Sequence, residues 1–190
     1  MEKIVARPGH SFVTLDLCQP LLRLAALFSS NAFLCKALVE KQDIHSQTAR
    51  LIWGEQFDRA ELTQQKKMRL DSKLALFDLL YGRGQAAPRL VEQISEHLDG
   101  AVGIIESSKV ESAFAAILGK MDDDVRQAIP LTAKVVYHKD DAWIIECEEG
   151  HVETLVKILS GMSFERSNEQ YMIPFPVVVD VKPEAFVPDP

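Results

Sequence analysis

The chain has 190 residues, 47% of them hydrophobic and 26% charged, with 28 acidic against 21 basic side chains and a net charge of −7. This is enough for one domain with a substantial core, and it excludes a protein whose overall field draws in polyanions. Cys18, Cys35 and Cys147 are widely spaced and form no CxxC pair, which argues against a disulfide scaffold or a zinc site and suits a reducing, cytoplasmic compartment.

The opening "MEKIVARPGH" lacks the apolar stretch of a signal peptide. "HSFVTLD" (10–16) is rich in β-formers and reads as a short strand ending at Asp16. Pro20 suits the first turn of a helix that runs through "LLRLAALF" toward Glu40, as one core helix or two. Arg23, Ser29, Ser30, Asn31 and Lys36 interrupt that apolar run, so it is no membrane span. Asp43 is placed to cap "IHSQTARLIW", which Gly54 stops. A long helix is expected over roughly 61–81 and another from Pro88 to Gly100. A further helical stretch covers about 106–121. "LTAKVVYH" (131–138) and "AWIIEC" (142–147) read as strands joined by a tight turn at 139–141. The helix "HVETLVKILSGM" follows. "FPVVVDV" (175–181) is the last strand, with Pro176 marking its beginning or an edge. Strands and helices are segregated, so the expected class is α+β, an antiparallel sheet with helices packed on one face.

Within "KKMRLDSKLALFDLLYGRG" (66–84), Arg69, Lys73, Phe77 and Tyr81 stand four apart and Gly82 follows at once. Such residues share one helix face as a slanted stripe, with Leu70 and Leu74 beside it. Asp71 and Asp78 fall on the side expected to face water. A helix with cations near its beginning and flat rings near its end matches an anion with an aromatic body, such as a nucleoside triphosphate. Spacing alone favours the plainer reading, a solvated basic turn followed by two core aromatics. Lys66, Lys67, Arg83 and Arg89 add to the local basic charge of an otherwise acidic chain.

Two other places invite chemistry: Asp16 at the end of the first strand, and Asp140 with Asp141 at the hairpin tip. If that strand pairs beside the hairpin, Asp16 and one hairpin Asp come together. Two carboxylates about 4 Å apart repel by roughly 4 kcal/mol at an effective dielectric near 20. A divalent cation relieves that repulsion, and hard oxygen ligands at strand ends suit Mg²⁺, which keeps waters and takes substrate phosphates. The plainer alternative is two turn residues and a helix-capping Asp16.

Taken together these residues resemble a family A DNA polymerase, of the phage or bacterial DNA polymerase I type. "VTLDLCQPLLRLAALFSS" (13–30) is similar to that family's first motif at Asp16, Gln19, Leu22 and Arg23. Asp43-Ile44-His45, Thr48-Ala49 and Gly54 follow at the family's distances without a gap. Arg69, Lys73, Phe77, Tyr81 and Gly82 match the second motif, Arg-x₃-Lys-x₃-Phe-Gly-x₂-Tyr-Gly. "YHKDDAWIIECEEGHVETLVKIL" (137–159) answers the third, a His-Asp-Glu hairpin, and "IPFPVVVDV" resembles the last palm strand. The resemblance implies palm segments at 1–57 and 105–190 around reduced fingers helices at 58–104. It implies that Arg69 and Lys73 hold the triphosphate of a dNTP, that Phe77 packs on its sugar and base, and that Tyr81 lies beside the templating position. Asp16 and the hairpin Asp would hold Mg²⁺ (or Mn²⁺) for transfer onto the 3′-hydroxyl of a DNA primer–template. Counting without a gap from "VETLVKIL" makes that residue Asp141 and leaves Ala142 at the Glu place. Anchoring on His138 instead puts Lys139 there and makes Asp140 the Glu. The gapless register is preferred, with Asp140 as the alternative ligand.

The chain departs from the family at Leu17-Cys18 for Tyr-Ser, at Leu21 for a Glu that takes part in sugar discrimination, and at Asp78 for Gly. The stretch 83–137 is much shorter than the family's, and no segment answers to its thumb or exonuclease. The expected activity is nucleotidyl transfer with a protein partner supplying a thumb or clamp. The alternative is a catalytically degenerate palm that binds DNA, nucleotide or a polymerase. An unrelated α+β protein is the third reading.

Overall fold

A computed structural model describes residues 2–84, 86–139 and 141–187. In chain order the elements are β1 (Glu2–Val5), β2 (His10–Leu17), α1 (Pro20–Ser29), α2 (Ala32–Val39), α3 (Ile44–Trp53), α4 (Glu55–Arg59), α5 (Leu62–Tyr81), α6 (Pro88–Ser95), α7 (Ser108–Ala128), β3 (Lys134–Lys139), β4 (Ala142–Glu148), α8 (Glu149–Ser160), β5 (Ser163–Ser167), β6 (Met172–Lys182) and β7 (Glu184–Val187). Short 3-10 turns lie at Glu96–Leu98 and Ile104–Glu106. The class is α+β, and the described residues fall into two compact units, one within 1–20, 115–164 and 175–190, the other within 21–114 and 165–174.

The first unit is built on the antiparallel sheet, whose order is β3-β4-β2-β6-β5. Alternation along β2 explains its two faces. Val13, Leu15 and Leu17 are buried, and so are Trp143, Ile145 and Cys147 of β4. Each large side chain so buried contributes roughly 1.5–3 kcal/mol. α8 packs on this face through Leu155 and Leu159, and α7 reaches Trp143, whose indole N–H donates to Asp122 at 3.5 Å. On the other face a two-stranded ribbon of β1 and β7 lies over Phe12, Ile144 and Tyr137 with Ile4, Ala6 and Ala185.

The second unit is helical. Leu22, Leu24, Leu34, Ile44, Leu76, Leu80, Ile94 and Leu98 are its fully buried large residues. α3 and α5 pack together, and Ala49, Phe57 and Met68 form a further apolar cluster with α4. As expected, Asp43 caps α3, accepting from the His45 N–H, and Gly82 ends α5 with φ 69°. No helix among the described residues is long and apolar enough to cross a membrane.

The run after Pro20, open between one helix and two, is two, because Ser30 turns into left-handed backbone (φ 51°) and Asn31 caps the second, accepting from the Leu34 N–H at 3.1 Å. Several other expectations are corrected. α7 continues past Met121 to Ala128, since Met121 and Val125 are both fully buried on one face and Arg126 pairs with Asp122 one turn back. Strand β6 begins at Met172 rather than 175, and β3 begins at Lys134 rather than 131. Asp78 does not face water: it is 8% exposed, since α5 is enclosed on that side as well.

Candidate functional site

Strand alternation sets the first cluster. Leu15 and Leu17 point into the core, so Asp16 between them points out. Its cross-strand partners are Ala142 on β4 and Val178 on β6, and the Leu17 N–H donates to the Asp141 carbonyl at 3.0 Å. Asp141 leads directly into β4, so the two carboxylate residues stand at one end of adjacent strands. The Asp16 carboxyl is held above its usual range, first by partial burial and then by the negative charge of Asp141. The second cause is the mark of two neighbouring acids competing to ionise. Asp140, the alternative ligand, lies outside the described residues.

Among the described residues no three His, Cys, Asp or Glu side chains gather into a cation cage. The Asp16–Asp141 pair nevertheless fits a magnesium or manganese ion in kind. Both supply hard oxygens, their mutual repulsion is what a cation removes, and such ions are commonly held by one or two carboxylates with water and substrate phosphate completing the shell.

Gln19 follows this pair in left-handed backbone (φ 52°), a conformation that costs a non-glycine residue about 1–2 kcal/mol. The structure places His138 elsewhere. It pairs with Trp143, stacks on the indole at 4.5 Å and lies 3.6 Å from Asp122, on the sheet face opposite Asp16. Arg23 belongs to the helical unit, where it is 7% exposed and donates to the Pro174 carbonyl at 2.7 Å.

The second cluster is the α5 stripe. Arg69 is gripped side-on by Asp43, donating from Nε at 2.5 Å and from Nη2 at 2.9 Å. Burial works to raise the Asp43 carboxyl, but the hydrogen bonds from Arg69 and Ser46, the Arg69 charge and the His45 N–H outweigh it and bring it to about 2. Lys73, one turn on, is exposed. Phe77 meets Tyr81 with ring centres 6.3 Å apart and His45 at 6.0 Å. Burial first, then the charge of Arg69 against the opposing pull of Asp43, and last Lys73 push the His45 imidazole down to about 4. The guanidinium of Arg83 covers the Tyr81 ring at 4.0 Å. Beside it a cavity of about 340 Å³ is lined by Leu74, Phe77, Asp78, Tyr81, Arg83 and Ala86. Arg69, Lys73, Phe77 and Tyr81 therefore do share one face. Asp43 and His45 belong to this cluster too, although the helix spacing gives them no role there, and Arg83, which the sequence places only in the local basic charge, covers a ring of it. The Asp-Ile-His triplet was the available signal, since two polar residues flank one buried Ile at a helix start.

The sheet with its paired strand-end acids, and the long helix of cations and aromatics, give the fold of a polymerase palm-like fragment. The profile of DNA polymerase family A matches residues 2–128, and the chain belongs to that family. It is 33% identical over 102 residues to the thermostable DNA polymerase I of Thermus thermophilus, covering 54% of this chain and 12% of that protein. The thermostable DNA polymerase I of Thermus caldophilus matches to the same extent. Among solved structures, the POL domain of Pol1 from M. smegmatis in complex with DNA primer-template and dNTP has the same fold, with a TM-score of 0.69 and 18% identity over 94% of this chain and 40% of that one. The chain thus spans well under two thirds of the length of each relative.

Proposed function

We propose that the chain carries the nucleotidyl-transfer centre of a family A polymerase, joining a dNTP to the 3′-hydroxyl of a DNA primer–template. The observation that supports it most is the neighbouring of Asp16 and Asp141 across the β2–β4 ladder, with the charge of one raising the other. Divalent cations there would supply activation of the primer hydroxyl and neutralisation of the departing pyrophosphate. The chain's own part is positional. Asp16 and Asp141 fix ligand oxygens on rigid strand ends. Lys73 and Arg69 offer cations to the triphosphate, and Phe77 and Tyr81 offer faces to sugar and base. Asp16 and Lys73 present their charges at the exposed surface, and Phe77 and Tyr81 line a cavity of about 340 Å³. A binding-only palm is favoured by one observation, Ala142 in the place of the third-motif Glu, which leaves two carboxylates where the family has three. Primer extension by the purified chain in Mg²⁺ or Mn²⁺ separates the two. Template-directed addition that Asp16→Asn abolishes supports the polymerase reading, and nucleotide binding without addition supports the other.

A further inference from the structure

We infer that Asp43 is a positioning residue, holding the Arg69 guanidinium pre-oriented for the phosphates of an incoming nucleotide. This rests on the reading of the α5 stripe given above.

Arg69 reaches from α5 to a residue 26 positions earlier, the N-cap of α3. A lone arginine on a helix surface samples many rotamers and must give up that freedom when it grips a phosphate. Asp43 removes it beforehand. Its two oxygens take Nε and Nη2, the side edge of the fork, so the Nη1 edge is the one Asp43 does not engage. Guanidinium geometry is rigid, so fixing one edge fixes the other.

A resident carboxylate also opposes an incoming anion, so the sign has to be decided. Three features weaken that opposition. Asp43 is the N-cap of α3, where the helix dipole already offsets negative charge. Its oxygens are shared with the Ser46 hydroxyl at 2.7 Å and the His45 N–H at 3.3 Å. Lys73 stands one turn along α5, exposed and without the same clamp. Orientation therefore outweighs neutralisation. The clamp also locks α3 to α5 beside a second tie, the Ser72 hydroxyl on the His45 carbonyl at 2.7 Å, so the stripe is carried on a braced helix pair.

The test is calorimetric titration of the 190-residue chain with dATP in Mg²⁺. Asp43→Ser keeps a helix cap but is too short to reach Arg69, and it should weaken binding roughly five- to tenfold, in the range of one lost charged hydrogen bond. Asp43→Asn keeps the cap and one acceptor and should recover most of that loss. In an Arg69→Ala background, Asp43→Ser should add less than about twofold, because the partner through which it acts is gone. Melting temperatures of all variants accompany the titrations. A merely structural Asp43 would lower them without the coupling to Arg69, and equal effects of Asp43→Ser in both backgrounds overturn the inference. So does unchanged or tighter binding by Asp43→Ser. If Arg69→Ala itself leaves dATP binding unchanged, the stripe reading falls as well. If Arg69→Ala weakens binding and Asp43→Ser does not, only the positioning role falls.

Discussion

Lys73 and Asp71 are two residues apart on α5, yet the account gives them opposite weights. Lys73 lies on the stripe and is exposed, so Lys73→Ala should weaken dNTP binding by about 1.5–3 kcal/mol, the range for a hydrogen bond to a charged group. Asp71→Ala should change it little. Titration of both variants decides, and equal losses would reduce the stripe to a solvated helix face. His45 makes a separate prediction about pH. The imidazole is 2% exposed, and its pKa is pushed from 6.5 to about 4. Above pH 6.5 both states hold it neutral and no penalty arises. Between 6.5 and about 4 the unfolded chain takes up a proton that the folded chain refuses, so stability falls as pH falls through that window. The loss should be about 2–3 kcal/mol by pH 4.5. Urea denaturation at pH 7.5 and 4.5 measures it, and His45→Gln should flatten the difference. An unchanged pH slope in that variant would assign the loss to other groups. The Asp43–Arg69 clamp could not be read from sequence, because nothing local ties two residues that far apart. The spacing of Arg69, Lys73, Phe77 and Tyr81 could be, because a helix period is local.

Among the elements, α5 is the one whose two ends bear on the site. Its stop at Gly82 needs backbone at φ 69°, and a Cβ there would lie 3.2 Å from the Gly103 Cα. Gly82→Ala should therefore cost about 1–2 kcal/mol from the left-handed conformation, and somewhat more from that close approach to backbone. A melting temperature within a degree of the parent chain would show that the cap is not rigid as described. The elements that carry the candidate chemistry were legible. β2 alternates, Asp43 and Gly54 bracket α3, and β3 and β4 flank an acidic turn. The ribbon of β1 and β7 was not, because it pairs two four-residue strands from opposite ends of the chain. Strand β5, "SFERS", is too short and polar to signal itself. The expected end of α7 at about Met121 fell short of the acidic run Asp122, Asp123 and Asp124, whereas Met121 and Val125, both fully buried, carry the helix on to Ala128.

At the scale of the molecule, a family A fold sits on a chain with net charge −7. Six of its 21 cations, Lys66, Lys67, Arg69, Lys73, Arg83 and Arg89, crowd into one stretch, and among the described residues two of these are engaged in ion pairs, Arg69 with Asp43 and Arg83 with Glu106. Neutralising only a few phosphates gives weak binding whose logarithm falls by about 0.9 per phosphate per decade of salt. The 190-residue chain should hold duplex primer–template no tighter than roughly 10⁻⁵ M at physiological salt, within the non-specific range. Synthesis should then be distributive. A partner that closes around DNA, as a thumb or clamp would, should lengthen the products far more than it speeds a single addition. Fluorescence anisotropy across a salt series, with product-length analysis, checks this. Nanomolar binding by the chain alone would contradict it.

Single-nucleotide addition tests the central claim most directly. The purified chain is given primer–template well above roughly 10⁻⁵ M, one dNTP and Mg²⁺, so that weak grip cannot mask chemistry. The account predicts addition by the parent chain and a loss of at least about 10²-fold, the effect of removing one electrostatic stabiliser, in both Asp16→Asn and Asp141→Asn. It predicts near-parental addition by Asp140→Asn. No addition by the parent chain, or addition that survives both of the first two substitutions, would contradict the assignment of Asp16 and Asp141 as the centre of nucleotidyl transfer.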